Sequence, residues 1–370
     1  MTEWSERLPD RVRLLVLFGG RSAEREVSCV SAASVLAALD PGRYDVVPVG
    51  ITPDGSWVLA DDPRAALAAG VRILPRSLAA TGPVLDPLVA LGAGNAAPTL
   101  DAAPTVVLPL LHGPLGEDGT VQGLLELTGT AYVGAGVLGS ALCMDKAKAK
   151  EVLAAANLPQ ARYLAWRDGD DRAPLTRQVG DELGWPVFVK PANLGSSVGI
   201  SRVDGPADLD AAVDLALAYD EWLVVEEAVT GRELECGVLG NVIFEASVPG
   251  EIVPGAEFYD FDDKYSGTGA ELVVPALLPG GVADRVRRMA VAAATALRVE
   301  GMARVDFFYD EGERGLVINE ANTIPGFTPQ SMFPRLWEAS GVSYTELLDR
   351  LVGLALARHA RRSPRLGRSR

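Results

Sequence analysis

The chain predicts an α/β protein, α+β when taken whole, and three observations carry that expectation. Short apolar runs at residues 13–18 and 106–111 end in glycine-bearing turns and pass into segments of helical spacing, the alternation of an open α/β sheet. Two extended runs, 187–190 and 200–203, flank a Gly/Ser loop, and two more, 302–309 and 316–322, flank a polar turn in the pattern of a β-hairpin. At 370 residues and 48% hydrophobic, the chain can bury a large core and divides into two or three domains.

Composition narrows the function classes. A net charge of −15 opposes a nucleic-acid partner, because binding a phosphate backbone needs a basic footprint. No basic segment followed by an apolar run opens the chain, and no 18 consecutive apolar residues occur, so a cytoplasmic protein without a membrane span is expected. Cys29, Cys143 and Cys236 are far apart and form no C-x-x-C, which supports neither a disulfide framework nor a zinc site. Residues 357–370 hold six arginines and no acid, and read as a frayed, solvated terminus without a function. Only five of the 34 basic residues are lysines: Lys146, Lys148, Lys150, Lys190 and Lys264. A chain that prefers arginine keeps lysine where a compact, flexible charge is useful, as at phosphates.

Taken in order, residues 13–18 form a buried strand that runs into Gly19 and Gly20, with Glu24 at the mouth of the helix 25–39. A second strand, 44–51, precedes a biased region, 60–104, read as irregular surface structure with a helix or two. Residues 106–111 resume the sheet and end at His112, at the strand end where open α/β sheets bind ligands. Gly134, Gly136 and Gly139 match G-x-G-x-x-G, but the positions about 20 further on lie inside the helical run 146–156, so the dinucleotide context fails. The stretch reads as a domain-boundary turn. The loop after Lys190 can fold backbone N–H groups and hydroxyls over phosphates. Its G-x-S-x-G match lacks the helix and histidine a hydrolase needs. A helix, 207–219, and a strand, 222–229, follow; the edge at Glu226 and Glu227 could offer backbone groups to an adenine, and Glu233 could meet ribose hydroxyls. Residues 257–269 form a polar, aromatic-studded loop of the lid type, and 282–299 a long helix.

The hairpin is the centre of the reading. Reflection about Glu313 sets Asp306 opposite Glu320 and Arg304 opposite Asn322, and strand alternation puts all four on one face. Two carboxylates and an amide oxygen suit a hard cation that shares its other sites with phosphate and water.

In order, the runs GGRSAEREVS, HGPLGEDGT, MDK, PVFVKPANLGSSVGISRV, VVEEAVTGRE, FYDFDDKY, ARVDFF and NEANTIPGFTPQS resemble the D-alanine:D-alanine ligases of the ATP-grasp superfamily. The resemblance covers almost the whole chain except residues 60–104 and the tail. It implies an ATP-grasp fold preceded by an N-terminal open α/β domain (Rossmann-like, pre-ATP-grasp). The implied units are a substrate-binding domain 1–140, a central lid subdomain 141–231 and a catalytic subdomain 232–370, with 357–370 as basic tail. It further implies ATP-dependent joining of two D-alanines through an acyl phosphate, for peptidoglycan precursors, with ATP, two Mg²⁺ or Mn²⁺ ions, small-molecule substrates and a homodimer.

Carried over by position, the resemblance makes Lys146, Lys190, Ser196, Ser197 and Lys264 phosphate contacts, Glu226, Glu227 and Val229 the adenine edge, and Glu233 the ribose ligand. Asp306, Glu320 and Asn322 would hold metal. Glu24 would take the ammonium of the first D-alanine, with His112 and Lys264 near its carboxylate, and Ser196 and Tyr265 would link two loops through Glu24. Arg304 and the Gly326 N–H would form an oxyanion hole, and Ser331 and the Met332 N–H would take the second carboxylate. Two departures stand out: Glu227 occupies a position where many members have lysine, and the lid loop is of the longer form. Three alternatives are weighed. A D-alanine:D-lactate ligase goes with loss of the lid tyrosine, yet Tyr265 is present. A non-catalytic nucleotide-binding module predicts a missing ligand, yet Arg304, Asp306, Glu320 and Asn322 are all there. An NAD oxidoreductase rests on Gly134–Gly139 alone.

Overall fold

The computed structural model describes residues 8–22, 24–61, 77–91, 103–195, 197–254, 270–312 and 314–366, arranged around three sheets that follow one another along the chain. The first contains β1 (Val12–Gly19), β2 (Tyr44–Ile51), β3 (Trp57–Leu59), β4 (Val84–Leu85), β5 (Thr105–Pro109) and β6 (Ala131–Tyr132), in the order β4-β3-β2-β1-β5-β6. β1 runs parallel to β2 and β5, and β5 to β6, while β3 and the edge strand β4 are antiparallel additions that the sequence reading missed. The apolar run of β1 is unbroken because both faces are covered. Leu14, Val16 and Phe18 pack with the helix Arg25–Ala38, and Leu15 and Leu17 with the helix Thr120–Leu127. At the strand's end Gly19 adopts φ +88°, and a Cβ there would come within 2.4 Å of the Ile51 carbonyl oxygen, so the turn toward Glu24 needs glycine.

The helix Tyr344–Leu366 returns from the other end of the chain to the same sheet, where Leu347, Leu348 and Leu351 join the cluster of Leu14 and Phe18. This overturns the expectation of a frayed basic terminus, since the helix runs on to Leu366. Arg358 is 3% exposed, donates to the carbonyls of Gly134 and Tyr132, and stands 4.0 Å from the centre of the Tyr132 ring. Arg361 pairs with Glu300 and Arg362 with Glu126. Arginines that look solvated in sequence meet acids and carbonyls from distant segments. The Gly134–Gly139 stretch has a packing role: a Cβ on Gly139 would lie 2.6 Å from the Arg298 carbonyl oxygen, and one on Gly301 3.0 Å from Gly134. Replacing Arg358 by leucine removes donors from two carbonyls, each costing about 1–3 kcal/mol when buried and unmet. The melting temperature is expected to fall by several degrees in calorimetry, and an unchanged value would deny the clasp.

The second sheet holds β7 (Tyr163–Arg167), β8 (Val187–Pro191), β9 (Ser201–Val203) and β10 (Trp222–Glu227) in the order β7-β10-β8-β9, all antiparallel. The helix Leu209–Leu217 packs on it through Leu209, Val213 and Ala216. β7 was not anticipated, and it makes β10 an interior strand. The third sheet runs β14-β13-β11-β15-β16, with β12 also on β11: β11 (Arg232–Gly240), β12 (Phe244–Ala246), β13 (Gly250–Val253), β14 (Glu271–Val273), β15 (Gly301–Asp310) and β16 (Gly315–Asn322). The helix Val282–Ala296 covers one face through Val286, Ala290 and Ala293. The opposite face of β15 and β16 presents the polar residues.

The hairpin register at those residues is the expected one, Arg304 opposite Asn322 and Asp306 opposite Glu320. The turn is different, because beyond Asp306 the pairing shifts by one, with Phe307 opposite Ile318 and Asp310 opposite Gly315. Asn319 is the extra residue of a β-bulge. Ile318 and Ala321 therefore both face the core, three positions apart. Without the bulge, Glu320 and Asn322 would turn toward the packed side.

Candidate active site

Three clusters converge on the polar face of β15 and β16. The first belongs to the hairpin. Arg304 donates from Nε to Asp306 Oδ1 and from Nη2 to Asp306 Oδ2, both at 2.7 Å, and its Nε lies 3.1 Å from Glu235 Oε2 on β11. Burial works against the Arg304 charge, but Asp306 and Glu235 outweigh it and hold the guanidinium ionised well beyond its ordinary range. Asn322 Nδ2 donates to Asp306 Oδ2 at 2.9 Å, and Glu320 adds negative charge felt by Arg304.

The second cluster comes from the first sheet. A Cβ on Gly113 would lie 3.3 Å from Glu24 Oε2, and one on Gly195 3.1 Å, so two glycines from different sheets leave room for the Glu24 carboxylate. His112 follows β5, and its Nδ1 stands 3.1 Å from the Ile324 carbonyl oxygen. A carbonyl only accepts, so Nδ1 carries the hydrogen and Nε2 is the acceptor of the neutral ring. Nε2 is buried with no hydrogen-bond partner among the described residues. Burial lowers the His112 pKa against the raising influence of Glu24. Glu117 accepts from the Gly113 N–H at 2.6 Å, and burial together with the Glu24 charge pushes its carboxyl up to about 8. Glu117 therefore carries a proton at neutral pH.

The third cluster is a knot of lysines around one carboxylate. Lys190 donates to Glu226 Oε2 at 2.9 Å, and Lys150 reaches Glu226 Oε1 at 3.4 Å from the helix Lys146–Ala155. Lys146 donates to the Leu194 carbonyl at 2.5 Å and also bears on Glu226. Burial would raise the Glu226 carboxyl, yet Lys150 and Lys190 overcome it and lower the pKa to about 2. Lys150 itself, 2% exposed, is lowered by burial against the pull of Glu226.

Glu227 faces away into a separate clasp. Its Oε1 accepts the Arg162 N–H at 2.6 Å and its Oε2 the Arg162 Nε–H at 2.8 Å, and Arg314 of the hairpin turn donates to Oε1. Burial again opposes, and the two arginines bring the carboxyl down to about 2. Two donors of the expected adenine edge are engaged within the protein. β10 has neighbours on both sides, and the N–H groups of Glu227 and Ala228 already serve Arg162 O and Pro186 O. Val229 follows them, before Glu233 on β11. Gly326 and Ser331 adjoin, since a Cβ on Gly326 would stand 3.0 Å from Ser331 Oγ. Ser331 is the N-cap of the helix Met332–Ala339, which puts the Met332 N–H in its first turn, where donors lack intrahelical partners. Ser197 lies in the loop after β8 with φ +59°. Ser196, Lys264 and Tyr265 lie outside the described residues.

Sequence reading missed Glu235, Glu117, Arg162 and Arg314 as parts of the site. Lys150, one of the five lysines singled out in the sequence, is four residues after Lys146 and so on the same helical face. Glu235 had a weak signal, a charge between the buried Leu234 and Cys236 of β11. Arg162 and Arg314 had none, because their meeting at Glu227 depends on two sheets coming together. As for metal, no group of three or more His, Cys, Asp and Glu that could hold an ion occurs among the described residues. The expected set, Asp306, Glu320 and Asn322, supplies two carboxylates and one amide oxygen and would be completed by phosphate and water. The donor chemistry fits Mg²⁺ or Mn²⁺, provided Arg304 loosens its fork on Asp306. No helix among the described residues is long and apolar enough to cross a membrane.

Comparison with known proteins bears on the whole arrangement. The family model described as D-ala D-ala ligase N-terminus matches residues 13–135, and that described as D-ala D-ala ligase C-terminus matches residues 152–353. A D-alanine--D-alanine ligase of Mycobacterium sp. (strain KMS) is 51% identical over 367 residues, covering 94% of this chain and 97% of that protein. The solved D-alanine-D-alanine ligase from Coxiella burnetii is 35% identical with a TM-score of 0.81, covering 97% of each chain. VanG D-Ala:D-Ser ligase from Enterococcus faecalis is 31% identical with a TM-score of 0.77, covering 93% of this chain and 99% of that one.

Proposed function

We infer how the site works from the family to which this chain belongs, the D-alanine–D-alanine ligases of ATP-grasp fold. The chain is a ligase that uses ATP to join two D-alanine molecules into D-alanyl-D-alanine, the dipeptide of peptidoglycan precursors. We propose its working units as residues 1–140, 141–231 and 232–370, acting in the cytoplasm as a homodimer. Each unit has its own sheet, and the helix Tyr344–Leu366 ties the last back to the first.

A carboxylate is a poor electrophile, so the γ-phosphoryl group of ATP first passes to the carboxylate of one D-alanine, giving an acyl phosphate and ADP. The ammonium of that D-alanine is held by Glu24, and its carboxylate lies near His112. Lys146, Lys190 and Ser197, with Ser196 and Lys264, bind phosphates. The backbone about Val229 takes the adenine beside Glu226 and Glu227, and Glu233 takes the ribose. Asp306, Glu320 and Asn322 would hold two Mg²⁺ or Mn²⁺ ions, which would offset charge on the transferring phosphoryl group. The amine of the second D-alanine, oriented through its carboxylate by Ser331 and the Met332 N–H, attacks the acyl carbon. Arg304 and the Gly326 N–H stabilise the tetrahedral oxyanion, and phosphate leaves. Tyr265 and Ser196 close over Glu24 and exclude water, which would hydrolyse the acyl phosphate.

The observation that carries this reading is the convergence of the Arg304–Asp306–Glu320–Asn322 face with the lysine knot around Glu226. Phosphate release from ATP is expected to depend on added D-alanine. With D-alanine and D-lactate together at neutral pH, the dipeptide is expected as main product. A depsipeptide as main product, or phosphate release indifferent to D-alanine, would overturn it.

A further inference from the structure

The pairing of β11, β15 and β16 sets three carboxylates in one row: Glu235 opposite Asp306 on one side, and Glu320 opposite Asp306 on the other. The charge of all three bears on Arg304. Arg304 Nε is shared between Asp306 at 2.7 Å and Glu235 at 3.1 Å, while Nη2 holds the second Asp306 oxygen at 2.7 Å. The side chains of Glu235 and Asp306 are 7% and 13% exposed, so Glu235 is the deeper member and Asp306 the one nearer the cleft. A buried carboxylate stripped of its counter-ion is strongly destabilising, which makes the Glu235–Arg304 contact costly to give up.

Both functions proposed above for this face draw on the same oxygens. A divalent cation on Asp306 competes with the Arg304 fork, and the oxyanion role requires Arg304 to stay where it is. Among the anions whose charge bears on the guanidinium, Glu235 is the one to which no metal role is assigned. We propose that Glu235 is a positioning residue that retains Arg304 at the oxyanion site when Asp306 turns to a divalent cation. The inference rests on the metal role of Asp306.

The test is Mn²⁺ binding in the presence of a non-hydrolysable ATP analogue, followed by electron paramagnetic resonance, which needs no turnover. In Glu235→Gln the guanidinium leans more on Asp306, and Mn²⁺ affinity is expected to drop roughly tenfold, the scale of coupling between touching residues. At saturating Mn²⁺, kcat falls while the KM for ATP changes little, and Glu235→Asp, which keeps the charge, restores much of both losses. In an Arg304→Met background the same Glu235→Gln change is expected to leave Mn²⁺ affinity unaltered. Wild-type affinity in Glu235→Gln, or an equal loss in the Arg304→Met background, overturns the role, the latter because it marks a simple through-space charge effect. Wild-type Mn²⁺ affinity in Asp306→Asn would instead remove Asp306 from the metal, and the role of Glu235 with it.

Discussion

Replacing Arg304 by alanine is expected to lower turnover by roughly 10²- to 10³-fold, the usual loss when one oxyanion donor is removed. ATP affinity should change far less, because Arg304 approaches the acyl group and the lysines the phosphates. The structure adds a second consequence. Arg304 is the shared counter-ion of Asp306 and Glu235, so the alanine variant leaves buried carboxylates facing one another. Breaking a buried pair costs about 3–5 kcal/mol, so part of the lost activity could come from unfolded protein. Single-turnover rates on material shown folded by near-UV circular dichroism separate the two effects. Arg304→Lys is the useful comparison: it keeps a positive charge but loses the planar fork, and it should recover stability more than rate. A near-normal rate in folded Arg304→Ala would take Arg304 out of the oxyanion hole.

The second large effect is expected at Glu226. In Glu226→Gln, Lys150 remains buried without its anion, at a cost of about 3–5 kcal/mol near neutral pH. The pH dependence gives the sign. In the wild type, Glu226 is depressed from 4.5 to about 2, so its stabilisation is present above 4.5 and lost as pH falls toward 2. The variant lacks that acid limb. Lys150 in the fold already lies below its ordinary 10.5, and without Glu226 it lies lower still. The deficit of the variant is therefore greatest where lysine is charged in the unfolded chain, and shrinks as pH climbs toward 10.5. Urea unfolding midpoints of both proteins across that range test it, and a deficit independent of pH would deny that Lys150 is the group left unpaired.

The candidate site was legible where chemistry follows local pattern. Sparse lysines pointed to Lys146 and Lys190, and strand alternation put Arg304, Asp306, Glu320 and Asn322 on one face. The register came out right for an incomplete reason: reflection about Glu313 assumed a regular hairpin, whereas the real turn is one residue out and Asn319 restores the match. A bulge leaves little trace in hydrophobic pattern, because it inserts a residue without altering which apolar side chains need burial. Glu227 shows the opposite case. Its departure from the family's lysine was visible in the sequence, but its partners Arg162 and Arg314 were not.

The sequence by itself determined the succession of α/β units, the polar face of the hairpin, and the ordered motifs that mark the family. Periodicity of two or 3.6 residues and runs of chemically specific side chains are local properties, so they survive without coordinates. Only the tertiary structure decided that Glu235 shares Arg304 with Asp306, that Lys150 closes the charge balance of Glu226, and that the basic tail clasps the first sheet through Arg358. Each of these is a buried charge or donor answered by a group from a distant segment. Burial is what makes such pairs matter, and burial comes only when the sheets pack.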